Sequence, residues 1–180
     1  MTDHMDGTVY AVPHDIPIPY MHRIGSYYQA LGYGRPYRWA QYTDVPFTPL
    51  EKPLAESRVA LVTTAAPFQP DKGDQGPGAP YNAAAKFYRV YTDSIDGEPD
   101  VRISHIGIDR KHTTATDINS WFPLKQLKRL AKEGRIGALA EEFIGAPTNR
   151  SQKTTIEQDC VDVLAHVRRL GADVAVIAAN

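Results

Sequence analysis

The chain has 180 residues, 42% of them hydrophobic and 23% charged, which excludes a disordered or collagen-like protein. Its 20 Lys and Arg against 21 Asp and Glu leave a formal net charge of -1, with no electrostatic handle for nucleic acid or an anionic membrane. A single cysteine, Cys160, excludes an intrachain disulfide and a Cys-rich zinc site, and no apolar run approaches a membrane span.

The N-terminus carries Asp3 and Asp6 rather than the basic-then-apolar layout of a signal sequence, which reads as a cytoplasmic protein. Residues 1–57 hold more than half of the aromatic residues and many prolines, and read as an extended aromatic arm. One helix is predicted in it, over 20–31, with Met21, Ile24, Tyr28 and Leu31 at helical spacing and Gly32 as its stop. The arm either packs on its own domain or grips another subunit.

The α/β domain is predicted over 58–180. It opens with Arg58-Val-Ala-Leu-Val-Thr-Thr64, a β-branched run of the kind that forms a buried strand. Residues 67–86, rich in Pro, Gly and Asp, read as a loop. Strands are predicted at 87–91 and 101–106, separated by the turn-like stretch 93–100. Pro123 suits the first turn of a helix whose buried stripe is Leu124, Leu127, Leu130 and Ala131 and whose stop is Gly134. Its outer face, Lys125, Lys128, Arg129 and Lys132, is either solvated surface or an anion contact.

A second helix is predicted from a capping box at Thr154 and Glu157, with Ile156, Cys160, Val163, Leu164 and Val167 as its apolar face. That placement makes Cys160 a buried core thiol rather than a nucleophile. After Gly171, Asp173-Val-Ala-Val-Ile-Ala-Ala179 reads as a buried parallel strand, so the predicted fold is α/β with a mainly parallel sheet and helices on both faces. A strand of that kind needs cover on both faces of its sheet, and ligands of such folds bind beyond the carboxyl ends of strands. Asn180 follows this strand directly, and the expectation is that another polypeptide or a continuation completes a site beside it.

The densest polar cluster is Ser104-His105-Ile-Gly-Ile-Asp109-Arg110-Lys111-His112, followed by Asp117-Ile-Asn119. It starts at the carboxyl end of a predicted strand, where a histidine can move protons near neutral pH. Three readings stay open for it: catalysis or substrate contact, structural hydrogen bonding, and metal ligation by His105, Asp109 and His112, whose spacing matches no strong metal motif. Thr63 and Thr64 end the first strand and offer hydrogen bonds to a ligand.

Several ordered segments resemble a known family. They are Phe47-Thr-Pro-Leu-Glu-Lys-Pro-Leu54, Arg58–Ala66, Phe87-Tyr-Arg-Val90, Ser104-His-Ile-Gly-Ile-Asp109, Asp117-Ile-Asn-Ser-Trp-Phe-Pro-Leu-Lys-Gln-Leu127, Glu133-Gly-Arg-Ile-Gly137 and the closing helix–strand pair. Over roughly 46–180 the series is similar to the selenoprotein B family of glycine, sarcosine and betaine reductases, including the selenoprotein subunit of D-proline reductase. The resemblance implies a flavodoxin-like or racemase-like fold and a cysteine or selenocysteine directly after the position of Asn180. It also implies a heteromeric enzyme that reductively cleaves a C–N bond of a small amino-acid-like substrate. A pyruvoyl group would sit in a partner subunit made by self-cleavage before a cysteine, with no cofactor held by this chain. In that frame His105 would be the proton donor or acceptor and Asp109 its orienting group, with Ser104, Asp117, Asn119, Thr63 and Thr64 contacting substrate.

Three departures from the family pattern stand out: the redox residue is absent, Ala146-Pro-Thr-Asn-Arg-Ser151 replaces a glycine-rich stretch, and loop 67–86 is longer. The ending Val-Ile-Ala-Ala-Asn also resembles the cysteine-bearing strand end of aspartate/glutamate racemase-like enzymes. A Cys-dependent lyase or hydrolase, and a non-catalytic assembly subunit, are therefore the alternative expectations.

Overall fold

The computed structural model describes residues 19–34, 40–76, 79–105, 111–112 and 115–179. The chain divides into two units, 1–46 and 47–180. In the first, α1 (Tyr20–Ala30) forms as predicted, with Gly32 beyond it at φ 82°, a conformation that a glycine adopts without strain. None of its residues is buried. Its aromatic rings instead meet one another edge to face, Tyr28 lying 5.7 Å from Tyr27 and 5.6 Å from Tyr33.

The second unit is organised around β1 (Arg58–Thr63), buried from Val59 onward. Three strands pair with it in parallel. Along one edge lie β5 (Ala138–Leu139) and β6 (Glu142–Gly145), which share that edge end to end. Along the other edge lies β7 (Val174–Ala178), in register from Val59↔Val174 to Thr63↔Ala178. Beyond β6, β3 (Tyr91–Ser94) adds an antiparallel strand, pairing Tyr91 with Gly145. A separate two-residue ladder joins β2 (Ala66–Pro67) to β4 (Val101–Arg102).

Alternation along β1 sends its side chains into two cores. Leu61 packs with Phe143, Trp121, Phe122 and with Leu124 and Leu127 of α2 (Leu124–Lys132). Ala60 and Val62 pack with Ile144 and Leu170 on the opposite face, where Val163 and Val167 of α4 (Cys160–Arg169) cover them. The fold is thus α/β, a mainly parallel sheet with helices on both faces.

Several local expectations are corrected. The segment 87–90 is not a strand; β3 starts at Tyr91, because pairing begins only where Gly145 admits the Tyr91 ring. β4 is two residues rather than six. The long loop holds itself together through side-chain amides: Gln75 accepts from the Gln69 amide at 3.0 Å and donates to the Gln69 carbonyl at 2.7 Å. β7 is parallel but not fully buried, since alternate residues are exposed along an edge strand.

The C-terminal helix is capped three residues before the predicted cap, at Ser151. Ser151 Oγ accepts from the Thr154 amide at 3.2 Å, and α3 (Gln152–Thr154) runs through a π turn, Thr155–Asp159, into α4. The extra residue of a π turn rotates whatever precedes and borders it relative to a regular 3.6-residue spiral. Cys160 lies exposed on the flank of α4 and not in the core; Leu164 on α4 and Ile156 in the π turn are exposed as well. Ser151→Ala is expected to cost about 1 kcal/mol, as for other lost N-caps, read as a lower urea midpoint at unchanged slope.

Candidate functional site

The carboxyl ends of β1, β6 and β7 lie together, as the parallel register requires. This edge is where open α/β sheets place their chemistry. At the end of β1, Thr63 is completely buried. Its hydroxyl donates to the Trp121 carbonyl at 3.1 Å and accepts from the Ala65 amide at 3.1 Å, so its one O–H is committed to holding two neighbouring segments together. Thr64, half-buried, donates its amide to the Ala178 carbonyl at 3.3 Å and ties the end of β7 to the same edge.

Opposite lies the short turn Ile118–Ser120, capped by Asp117. The Asp117 carboxylate accepts from both the amide and the side chain of Asn119 at 3.0 Å, and Ser120 Oγ donates to the Asp117 carbonyl at 2.7 Å. Thr63 reaches the next residue, Trp121, so this turn sits against the carboxyl end of β1. Ser104 follows β4, and its neighbour Ile103 packs in the cluster that contains Ala65 and Trp121. Thr63 and Thr64 are thus tied to the segment that follows the Asp117–Asn119 turn, and Ser104 adjoins a residue of the same core cluster.

Among the described residues, three polar side-chain atoms are buried without a hydrogen-bond partner: Ser104 Oγ, Asn119 Oδ1 and Trp121 Nε1. Buried polar atoms are nearly always paired, so each of these three is able to take up a further group. They supply one pure donor, one pure acceptor and one hydroxyl that serves as either. His105 is half-buried beside Ser104, and His112 is exposed. Asp109 and Asn180 lie outside the described residues. Among the described residues, no group of three His, Cys, Asp or Glu is placed to hold a metal ion.

Two supporting residues escaped the sequence reading. Trp121 is one; its position two residues after an Asp-x-Asn turn gives no sign that its indole N–H is left unpaired. The other is Tyr91, whose hydroxyl donates to the Ala65 carbonyl at 2.8 Å and so fixes the turn that follows Thr63 and Thr64. Burial, and secondarily the charge of Asp93, push its hydroxyl pKa well above the usual 10.0. A raised folded-state pKa contributes stability that is complete below pH 10 and is lost as pH rises above it. Stability of the wild type is expected to fall with pH above about 10, and Tyr91→Phe to flatten that fall, measured by urea unfolding across the alkaline range.

The class of protein defined by this geometry is an α/β protein built on a mainly parallel sheet. Over 139 residues the chain is 33% identical to D-proline reductase subunit gamma of Acetoanaerobium sticklandii, a match that takes in 74% of this chain and 53% of that protein. The chain is a relative of the reductase selenoprotein family, and it spans about half the length of the curated relative it matches. No family model matches it, and no solved structure does. Among the described residues, no helix is long and apolar enough to cross a membrane.

Proposed function

We propose that this chain is a subunit of a heteromeric reductase that cleaves a C–N bond in a small amino-acid-like substrate. The observation that carries this reading is the 33% identity with a D-proline reductase subunit over 74% of the chain. The buried, unpaired Ser104 Oγ and Asn119 Oδ1 support it. The nucleophile is a thiolate or selenolate held just past the position of Asn180, beyond the end of β7.

In the reaction so written, the thiolate attacks the α-carbon, a carbon–sulfur bond forms and the C–N bond breaks. The departing nitrogen takes a proton, which in this reading His105 supplies, with Asp109 as its orienting group. A second thiol then attacks the sulfur; a disulfide forms and the carbon leaves with the electron pair and takes a proton. The substrate gains two electrons and two protons, and a dithiol loses them. Trp121 Nε1 and Ser104 Oγ are suited to donate to a carboxylate, and Asn119 Oδ1 to accept from an ammonium group. The resemblance assigns a pyruvoyl group to a partner subunit; no residue of this chain is assigned to it, and no step above runs through it.

The test is an assay of the assembled enzyme with small amino acids, D-proline among them, and dithiothreitol as electron donor. The expected result is substrate loss matched one to one by dithiol oxidation. Turnover without dithiol consumption would replace this reading with a lyase or hydrolase. Absence of any turnover in the complete assembly would leave an assembly role.

A further inference from the structure

The connection between β3 and β4 and the start of α2 bound an open-mouthed cavity of about 700 Å³, inside the range of small-ligand sites, about 300–1,000 Å³. Its floor is apolar: Ile118 from the short turn, with Phe122 and Leu124, whose other sides pack in the Leu61 core. Glu98 and Asp100 stand on the loop wall, and Lys125 and Lys128 on the helix wall.

The walls are already held. Lys128 Nζ donates to the Gly97 carbonyl at 3.1 Å and ties the loop to α2. At the other end of the loop the Phe68 amide donates to the Asp100 carbonyl at 2.9 Å. Arg102, which pairs with the Asp100 carboxylate, lies over the Phe68 ring at 4.9 Å. Pro99 restricts the backbone between these two anchors. A cavity fixed in this way loses little freedom when a ligand enters, and such ordering is a main cost of binding.

Two of the four charges are thereby spent, Lys128 on a carbonyl and Asp100 on a guanidinium. Glu98 and Lys125 are not. Both are exposed, and neither side chain makes a hydrogen bond or an ion pair among the described residues, with the other or with any third group. Opposite charges that border one cavity and stay unpaired leave room between them for a molecule carrying both signs. The apolar floor asks the same molecule for a hydrocarbon body. A simple anion would meet repulsion from Glu98, and a simple cation repulsion from Lys125.

We propose that this cavity binds a free amino acid with a large apolar side chain. Its carboxylate lies on Lys125, its ammonium group on Glu98, and its side chain on Ile118, Phe122 and Leu124. The cavity is lined by none of the groups used in the reaction proposed above, and its test reads binding rather than turnover.

That test is a titration of the full, isotope-labelled chain with L-leucine or L-phenylalanine, followed through its backbone amide resonances. Saturable shifts are expected at the amides of Glu98, Asp100, Lys125 and Lys128. Isocaproate lacks the ammonium group of leucine, isoamylamine lacks its carboxylate, and L-serine lacks an apolar body. Each is expected to bind about tenfold more weakly than leucine, the scale of one charge-assisted contact or of the buried hydrocarbon. Glu98→Gln and Lys125→Gln alter exposed side chains, so each should keep the wild-type urea midpoint and lose about tenfold in leucine affinity. Glu98→Gln should also erase the preference for leucine over isocaproate. Absence of shifts with both amino acids would overturn the proposal, as would isocaproate binding the wild type as tightly as leucine does. So would shifts at Thr64 and Ser104 that persist in both variants, a result that would put the amino acid at the sheet edge and leave the proposed function standing.

Discussion

Gly145→Ala is expected to destabilise the protein by about 3 kcal/mol, the upper end of what overpacking a core costs. A Cβ at Gly145 would lie 1.8 Å from Cε1 of Tyr91 and 2.3 Å from its Cζ. That ring cannot swing aside cheaply. It is wedged edge to face against Phe87 at 5.3 Å and Phe143 at 5.9 Å, and its hydroxyl is tied to the Ala65 carbonyl. Displacing it would break the β3–β6 pairing at its first residue and release the turn after Thr63. Urea unfolding measures the loss. In a double-mutant cycle, Gly145→Ala should cost little once Tyr91→Ala has removed the ring; a full additive cost in that background would assign the strain elsewhere.

His105→Ala, at the proton carrier proposed above, is expected to lower kcat of the assembled enzyme by about 10²–10⁴, the range of general acid–base catalysis. The acidic limb of the pH–rate profile should change with it. Unfolding of the isolated subunit should stay close to wild type, because His105 is half-buried and outside both core clusters. Wild-type kcat in the variant would remove His105 from the reaction without touching the fold.

How far each element could be read in advance follows from where its information lies. β1 was legible because a strand buried on both faces must be a continuous apolar run. α2 was legible because its buried stripe, Pro123 and Gly134 agree, the glycine sitting at φ 68° beyond the helix. β5 and β6 were not, since Gly137, Ala138, Ala140 and Gly145 carry little side-chain pattern. Their small size answers a steric demand from distant residues: a Cβ at Gly137 would lie 2.6 Å from the Glu56 carbonyl carbon. Two rival caps, Ser151 and Thr154, have similar credentials, and the bond from the Thr154 amide to Ser151 Oγ decides between them. The placement of Cys160 failed because helical spacing marks a side of a helix but not how much of that side is covered: Cys160 shares the regular α4 with Val163 and Val167 and is nevertheless exposed.

At the site, sequence reasoning collected Thr63, Thr64, Ser104, Asp117 and Asn119 from polarity and position after strands. It could not divide them by task. Thr63 turns out to join segments, since its buried hydroxyl already donates to one and accepts from the other. Asp117 spends its carboxylate on the turn that presents Asn119. Such assignments depend on which hydrogen bonds are already made, and that is fixed by long-range packing.

The π turn at 155–159 also changes what lengths of chain this protein tolerates. A π turn is an α-helix carrying one surplus residue, with both flanking stretches still aligned on a common axis. Deleting one residue inside it yields an ordinary helical turn and leaves Ser151 at one end and Val163 and Val167 at the other where they are. The same deletion one turn later, within α4, has no surplus to absorb it and would rotate Val163 by about 100° relative to the sheet. Among relatives that differ in length by a single residue, this turn is therefore the place where the helix can shorten while the strand order, the two cores and the carboxyl edge of the sheet remain unchanged.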